Sequence, residues 1–526
     1  MLTIKNPILR GFHPDPSAIR VGDTYYVATS TFEWYPGIEI HSSLDLANWQ
    51  VVSRPLCHLS QLDMRGEEPS CGIWAPNLSW HEGLFYLVYT DMKSYVSKDL
   101  HNYLVTSPSI EGPWSEPIFL NSTGFDPSLF HEEDGKKYLV NLNWDYRKKG
   151  HDKFGFIQIQ EYDAKQKRLV EKPRMIYPHD GLREGSTIYK RAGFYYLMIA
   201  YGGTGTEHSA VVSRSTSLFG PYVDDPQGYL LTSKFDKEYP LQKAGHASLF
   251  DTPQGNWYAM HLCSRPLPGC NRSTLGRETA LQQLVWEPGE YPRLQSGGIL
   301  PSLEVETLAP DQRSASGQTT ETIQDFSADT LPFDLLTLRS PLEPWQYSLK
   351  KRSGWLRLYG YESLHSRFRQ SLVAQKVTDF CFESTVKLEG NPTDFHQVAG
   401  MVCLYNQDNY LYLCLGFDEQ AGRCLKLAEC RNKEYREMAI TGVEAQTIGL
   451  RLVVNFDQMQ GYWKTKEEDD WMKLGPSLDA SFLSDEAVEG AGYTGMMIGL
   501  CAQDLTGSGM YADFTQFSYK TEGMQR

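Results

Sequence analysis

Along the first three hundred residues, short apolar runs alternate with polar turns, and one arrangement returns five times. The copies read HPDPSAIRVGDTYYVAT from His13, IWAPNLSWHEGLFYLVYT from Ile73, FDPSLFHEEDGKKYLVNLNW from Phe125, REGSTIYKRAGFYYLMIA from Arg183 and AGHASLFDTPQGNWYAMHL from Ala244. Each is a short apolar run, a polar turn with glycine, and an aromatic-rich run. That pattern predicts a β-hairpin, with Gly22, Gly83, Gly135, Gly193 and Gly255 supplying the φ > 0 that a tight turn needs. The copies open at Asp15, Pro76, Asp126, Glu184 and His246, spaced 61, 50, 58 and 62 residues apart. Strand-rich repeats of this period predict a β-propeller. Five inner hairpins give five blades over about residues 1–305. Ser-rich outer strands recur at 40–50, 105–117 and 212–224, each followed by a turn and an aromatic.

The stretch LAPDQRSASGQTTETIQ (308–324) is polar and reads as a linker. Beyond it the repeat stops. Alternating segments such as WLRLYG (355–360), FCFESTVKLE (380–389), IGLRLVVNF (448–456) and GYTGMMIGLCAQ (492–503) predict antiparallel strands in a sandwich. The expected division is therefore 1–308 propeller, 309–324 linker and 325–526 sandwich, in an all-β chain. A length of 526 residues suits two domains.

Composition narrows the partners. A formal charge of −15 argues against nucleic acid and anionic membranes. The 31 Tyr and 12 Trp suit strands and also sugar-facing surfaces. The N-terminus has no long apolar run and no 18-residue apolar span follows, so a cytoplasmic location without a membrane partner is expected. None of the ten Cys forms CxxC and no Cys/His set has zinc spacing; buried reduced thiols are expected.

In a propeller the innermost strands lie beside one axis, so equivalent positions converge although they are distant in sequence. Asp15, Asp126 and Glu184 open blades one, three and four. Three carboxylates at one end of an axis repel one another, and at least one should have a raised pKa. A protonated acid beside an ionised carboxylate is what glycoside hydrolysis requires. Asp-Pro also simply shapes turns, and from the pattern alone both readings stand.

The strings NPILRGFHPDPS, STFEWYPG, WAPNLS, TGFDPSLF, REGSTIYK, KAGHAS and LGRETALQ, in that order, resemble glycoside hydrolase family 43, and within it the two-domain β-xylosidases. SLHSRFRQSLVAQK and GSGMYADFTQF resemble their C-terminal domain. The resemblance implies a five-bladed propeller followed by a concanavalin A-like, jelly-roll sandwich. It implies an inverting exo-glycosidase that releases terminal β-1,4-linked D-xylose from xylo-oligosaccharides, with α-L-arabinofuranosidase activity or a non-catalytic sugar-binding propeller as alternatives. Asp15 matches the general base, Glu184 the general acid, and Asp126 the carboxylate that orients the acid. An inverting enzyme sets the base and acid roughly 6.5–9.5 Å apart.

By the same resemblance Arg277 binds sugar hydroxyls, Phe32 and Trp74 wall the pocket, and His246 lies near the axis against substrate, water or a cation. No catalytic metal and no cofactor is required, although Asp513 is a candidate ligand for a structural Ca²⁺. A sandwich loop around Thr506–Tyr511 is expected to close the pocket, and relatives often form dimers or tetramers. Two strings depart from the family pattern. EGSTIYK places Ser186 and Thr187 where Pro and His are usual, and WAPNLS has Asn77 for His. Both changes put substrate preference in question.

Overall fold

The computed structural model describes residues 2–95, 98–178, 181–307 and 320–521. The chain divides into two compact units. One comprises 1–62, 71–265 and 277–314; the other comprises 63–70, 266–276 and 315–526. Two short segments within the propeller sequence thus belong to the second unit, which composition does not reveal.

The first unit holds five antiparallel sheets, each meandering outward from an inner strand. The inner strands are Ser17–Val21, Gly72–His81, Ser128–His131, Arg183–Arg191 and Gln242–Asp251. Each inner strand contacts a neighbouring blade, and the fifth contacts the first, so the ring closes. Leu2–Lys5 pairs with Glu304–Thr307, which zips together the two ends of the propeller. The turns follow the glycine pattern. Glu82–Gly83 and Ala192–Gly193 both have φ > 0 at two successive positions, which matches the right-handed twist of the flanking strands.

Apolar side chains fill the wedges between blades. Tyr25, Val27, Tyr258 and Met260 lie between blades one and five, and Val88, Leu104, Leu129 and Leu139 between two and three. Polar stitches run beneath them, one at each blade boundary. Leu78 N–H donates to Ser17 Oγ (2.9 Å), Leu129 N–H to Asn77 Oδ1 (3.2 Å), and Ser128 Oγ to the Ser186 carbonyl (2.6 Å). Leu249 N–H donates to the Tyr189 hydroxyl (2.9 Å), and Ala18 N–H to Ser248 Oγ (2.9 Å).

The second unit is a two-sheet sandwich. An eight-stranded sheet includes Tyr511–Thr521, Cys381–Gly390, Thr447–Asn455 and Gln458–Lys464; a six-stranded sheet includes Met497–Asp504, Gln397–Asn406 and Asn409–Asp418. Thr447–Asn455 alternates half-exposed and buried residues, the signature of a strand with one solvated face. Leu413, Leu450, Leu452, Leu500 and Phe514 fill the space between the sheets. Residues 308–319 of the expected linker lie outside the described residues. Thr320–Gln324, grouped with that linker by its polarity, is a strand paired with Tyr511–Thr521. The backbone after Met497–Asp504 is tied to Asp504, whose Oδ2 accepts the N–H groups of Gly509 and Met510.

None of the ten cysteines forms a disulfide, but Cys57 and Cys270 are exposed rather than buried. No helix among the described residues is long and apolar enough to cross a membrane. The surroundings of Asp513 do not fit a Ca²⁺ ion. Arg357 forks onto both its oxygens at 2.8 and 2.9 Å, so the carboxylate is engaged in an ion pair.

Candidate active site

The strand register corrects one equivalence expected from sequence. Ser17, Asn77, Ser128, Thr187 and Ser248 pair with corresponding positions of their second strands. Two residues earlier stand Asp15, Ala75, Asp126, Gly185 and His246. Pro76 and Glu184 are therefore each displaced by one. Asp15, Asp126, Gly185 and His246 all have positive φ, between 47° and 59°. In blade four a side chain at that position would be crowded. A Cβ on Gly185 would sit 2.8 Å from His246 Nε2 and 3.1 Å from the Ala200 Cβ. The acid of blade four consequently occupies the preceding residue, Glu184. Left-handed backbone at non-glycine residues costs of order 1–3 kcal/mol each and gathers where function needs it.

Asp126 gains by the arrangement. With no side chain at Gly185, its N–H donates to Asp126 Oδ2 at 3.0 Å. Asp126 is held from below as well: its N–H donates to Thr90 Oγ1 (3.2 Å), and Thr90 donates to Asn102 Oδ1 (2.7 Å). Asp15 is the most heavily bonded of the three. Arg277 Nη1 donates to Oδ1 at 3.2 Å, His246 Nδ1 lies 3.2 Å from the same oxygen, and Ser30 Oγ donates to Oδ2 at 2.7 Å. Arg277 is 2% exposed, and its guanidinium lies 5.2 Å from the centre of the Phe32 ring. Phe32 in turn meets Trp74 at 6.2 Å, and Trp74 meets Phe125 at 5.3 Å.

The structure thus brings all seven predicted residues into one locale. It adds Ser30, Phe125, Thr90 and Gly185. The first two had a signal in the sequence. Ser30 closes the aromatic run of the first hairpin at TSTF, and Phe125 precedes the second Asp-Pro-Ser. Thr90 acts through its hydroxyl beneath the Asp126 N–H and Gly185 through its own backbone, and neither stood out in the sequence. Asn77, Ser186 and Thr187 line an axial cavity of about 20 Å³ together with Asp126 and His246. That volume holds about one water. Asn77 spends its amide oxygen on the blade-two to blade-three stitch, so its first role is closure of the ring.

The electrostatics separate the carboxylates. Burial by itself would raise Asp15, but Arg277, then His246 and Ser30, hold it well below the usual carboxylate range. Glu184 is pushed up to about 7, first by burial and then by the charge of Asp15, against the pull of Arg277. Asp126 is also pushed up, by burial and by repulsion from Glu184, with His246 opposing. His246 loses solvation, yet Asp15 and Asp126 raise its pKa and favour the imidazolium. One carboxylate is kept ionised and two compete to hold a proton, a division suited to paired acid and base work.

A five-bladed propeller with carboxylates gathered at its axis, joined to a concanavalin-like sandwich, defines a glycoside hydrolase. The model of the glycosyl hydrolases family 43 matches residues 4–292, and that of the β-xylosidase C-terminal concanavalin A-like domain matches 323–520. The chain belongs to glycosyl hydrolases family 43. It is similar to a β-xylosidase of Bacillus subtilis (strain 168), 42% identical over 536 residues, with 99% of this chain and 100% of the relative covered. It is equally similar to the xylosidase/arabinosidase 43B of Humicola insolens, 42% identical over 534 residues, with 99% and 98% covered. The crystal structure of a xylan β-1,4-xylosidase from Bacillus halodurans C-125 superposes with a TM-score of 0.94 at 46% identity, covering 98% of this chain and 100% of that one.

Proposed function

We propose that this glycoside hydrolase is an inverting exo-β-xylosidase acting on the terminal β-1,4-linked D-xylose of short xylo-oligosaccharides in the cytoplasm. The observation that carries the reading is the electrostatic split between Asp15 and Glu184. Asp15, kept ionised by Arg277, takes a proton from the attacking water. Glu184, kept protonated by burial and by Asp15, gives its proton to the departing glycosidic oxygen. Water adds to the anomeric carbon as the bond to the leaving sugar breaks, and the product sugar is released with inverted configuration. Asp126, fixed by the Gly185 N–H and itself pushed up by burial and by Glu184, competes with Glu184 for the proton and tunes when it lets go. Phe32 and Trp74 offer apolar faces to the sugar ring, and the buried guanidinium of Arg277 offers charged donors to its hydroxyls. The linkage and the sugar follow the names of the similar Bacillus enzymes.

A second reading, α-L-arabinofuranosidase activity beside the first, is favoured by the name of the Humicola relative. The two are separated by kcat/KM on nitrophenyl β-D-xyloside and nitrophenyl α-L-arabinofuranoside. Preference for the xyloside, with the β anomer converted first to α-xylose, supports the proposal. Preference for the arabinoside, or retention of configuration, overturns it.

A further inference from the structure

Beside the strand end that carries Asp15, three donors meet that the proposed chemistry does not use. Glu39 and His41 are two residues apart on Glu39–Ser43, so their side chains leave the same face of the strand. His13 reaches them from the loop that leads into Asp15. The three are buried, with 2%, 5% and 8% exposure respectively. His13 Nε2 lies 3.0 Å from Glu39 Oε1, and His41 Nε2 lies 3.5 Å from the same oxygen. All three ligand atoms fall within 4.8 Å of one another.

The contacts around the three converge on one carboxylate oxygen, Glu39 Oε1. His13 Nδ1 is 3.0 Å from the Arg10 carbonyl oxygen. A carbonyl only accepts, so Nδ1 carries the hydrogen. When the ring is neutral, its Nε2 turns a lone pair toward the Glu39 carboxylate; when it is protonated, Nε2–H donates there. Two buried acceptors 3.0 Å apart are held together by a bridging proton or by a metal ion. The surrounding contacts are those that orient metal ligands. Arg54 takes Glu39 Oε2 through Nη2 at 2.7 Å and Nε at 3.1 Å, which leaves Oε1 aimed at the histidines. A backbone carbonyl holds the outer nitrogen of His13. Such outer partners fix the tautomer and direction of imidazole and carboxylate ligands. The two spacings to Glu39 Oε1, 3.0 and 3.5 Å, lie near the ~3.3 Å between ligand atoms that bonds of about 2.0–2.1 Å set in a tetrahedral zinc site.

We propose that His13, Glu39 and His41 form a binding site for a divalent transition metal of the zinc type, with water completing the shell. Two imidazoles and one carboxylate suit such an ion better than Ca²⁺ or Mg²⁺, which take oxygen ligands. The ion is a clamp and takes no part in bond cleavage. His13 N–H donates to the Arg277 carbonyl (2.9 Å), and Thr279 Oγ1 donates to the His13 carbonyl (2.7 Å). An ion on His13 therefore fixes backbone adjacent to both Asp15 and Arg277.

The test uses the full-length chain, stripped with a chelator and titrated with Zn²⁺ alone by calorimetry, with Co²⁺ as a spectroscopic probe. The expected result is one tightly bound ion per chain, a visible Co²⁺ band of four-coordinate type and a raised Tm. His41→Gln should weaken binding by ~10-fold or more, while His246→Ala binds as the unsubstituted chain does. Glu39→Gln strands the Arg54 charge, so His41→Gln and the unsubstituted protein carry the test. Failure of the stripped protein to bind micromolar Zn²⁺, or undiminished binding by His41→Gln, overturns the site. So does a histidine ¹⁵N spectrum in which His13 is an imidazolium that Zn²⁺ leaves unchanged, since a proton is then the bridging cation.

Discussion

In the sandwich, a buried or half-buried charge meets a counter-charge of its own. Lys426 donates to Glu437 at 2.7 Å, Arg357 forks onto Asp513, and Arg352 donates to Glu389 at 2.7 Å. At the propeller axis three carboxylates face Arg277 and His246, and the pKa values of two of those carboxylates rise in consequence. Backbone strain follows the same division. Positive-φ residues of the sandwich such as Asn432 and Lys433 sit in a hairpin turn, where type I′ geometry asks for them. Those of the axis, Asp15 and Asp126 just before their inner strands and His246 at a bulge within its own, sit where the strain aims side chains at one point. One unit is built to satisfy its polar groups; the other leaves a few in tension where chemistry is proposed.

The sharpest way to break this contrast is Glu184→Gln, which keeps the shape and removes the proton. Turnover on a xyloside with a poor leaving group should fall about 10²–10⁴-fold while xylobiose still binds; retained turnover would remove Glu184 from the acid role. The reciprocal substitution lies in the sandwich. Leu450→Ala, fully buried between the sheets, should cost about 2–5 kcal/mol in denaturant unfolding of that unit, through lost transfer energy and a cavity. A loss below about 1 kcal/mol would show that the site collapses freely and that packing is not what this unit depends on.

Gly185→Ala probes strain rather than charge. The new Cβ meets His246 and must hold φ near +59°, so about 1–3 kcal/mol of stability should go, with kcat/KM down ~10-fold. Normal activity and Tm would mean the blade-four bulge is not constrained. The smallest effect concerns pH. The folded pKa of Glu184 lies above its unfolded value, so the native state binds the proton more tightly. Stability from this group is present below the unfolded value near 4.5 and is lost as pH rises through about 7. Glu184→Gln should therefore raise Tm by a few degrees at pH 8 and by less at pH 5, and the kcat of the unsubstituted enzyme should decline as pH rises through about 7. A Tm difference independent of pH would show that Glu184 is not strained by charge.

Hairpin periodicity and the turn glycines determined five blades from the sequence alone, because a period-2 pattern and a φ > 0 requirement are local properties of the chain. The carboxylates were legible for the same reason: each opens a repeat, and repetition puts repeated positions at the same radius of a propeller. Two things were decided only by tertiary structure. The first is register. That Gly185 takes the position of Asp15 and Asp126, with Glu184 one residue earlier, depends on the His246 ring approaching from another blade, and no local pattern encodes that distance. The second is protonation. Asp15 and Glu184 are ordinary acids in sequence, and they part because Arg277, 262 residues from Asp15 along the chain, holds Asp15 down together with His246 and Ser30, while burial and the charge of Asp15 raise Glu184. Which acid keeps its proton is a matter of desolvation and Coulomb energy over a few ångströms, and those distances exist only after the ring has closed.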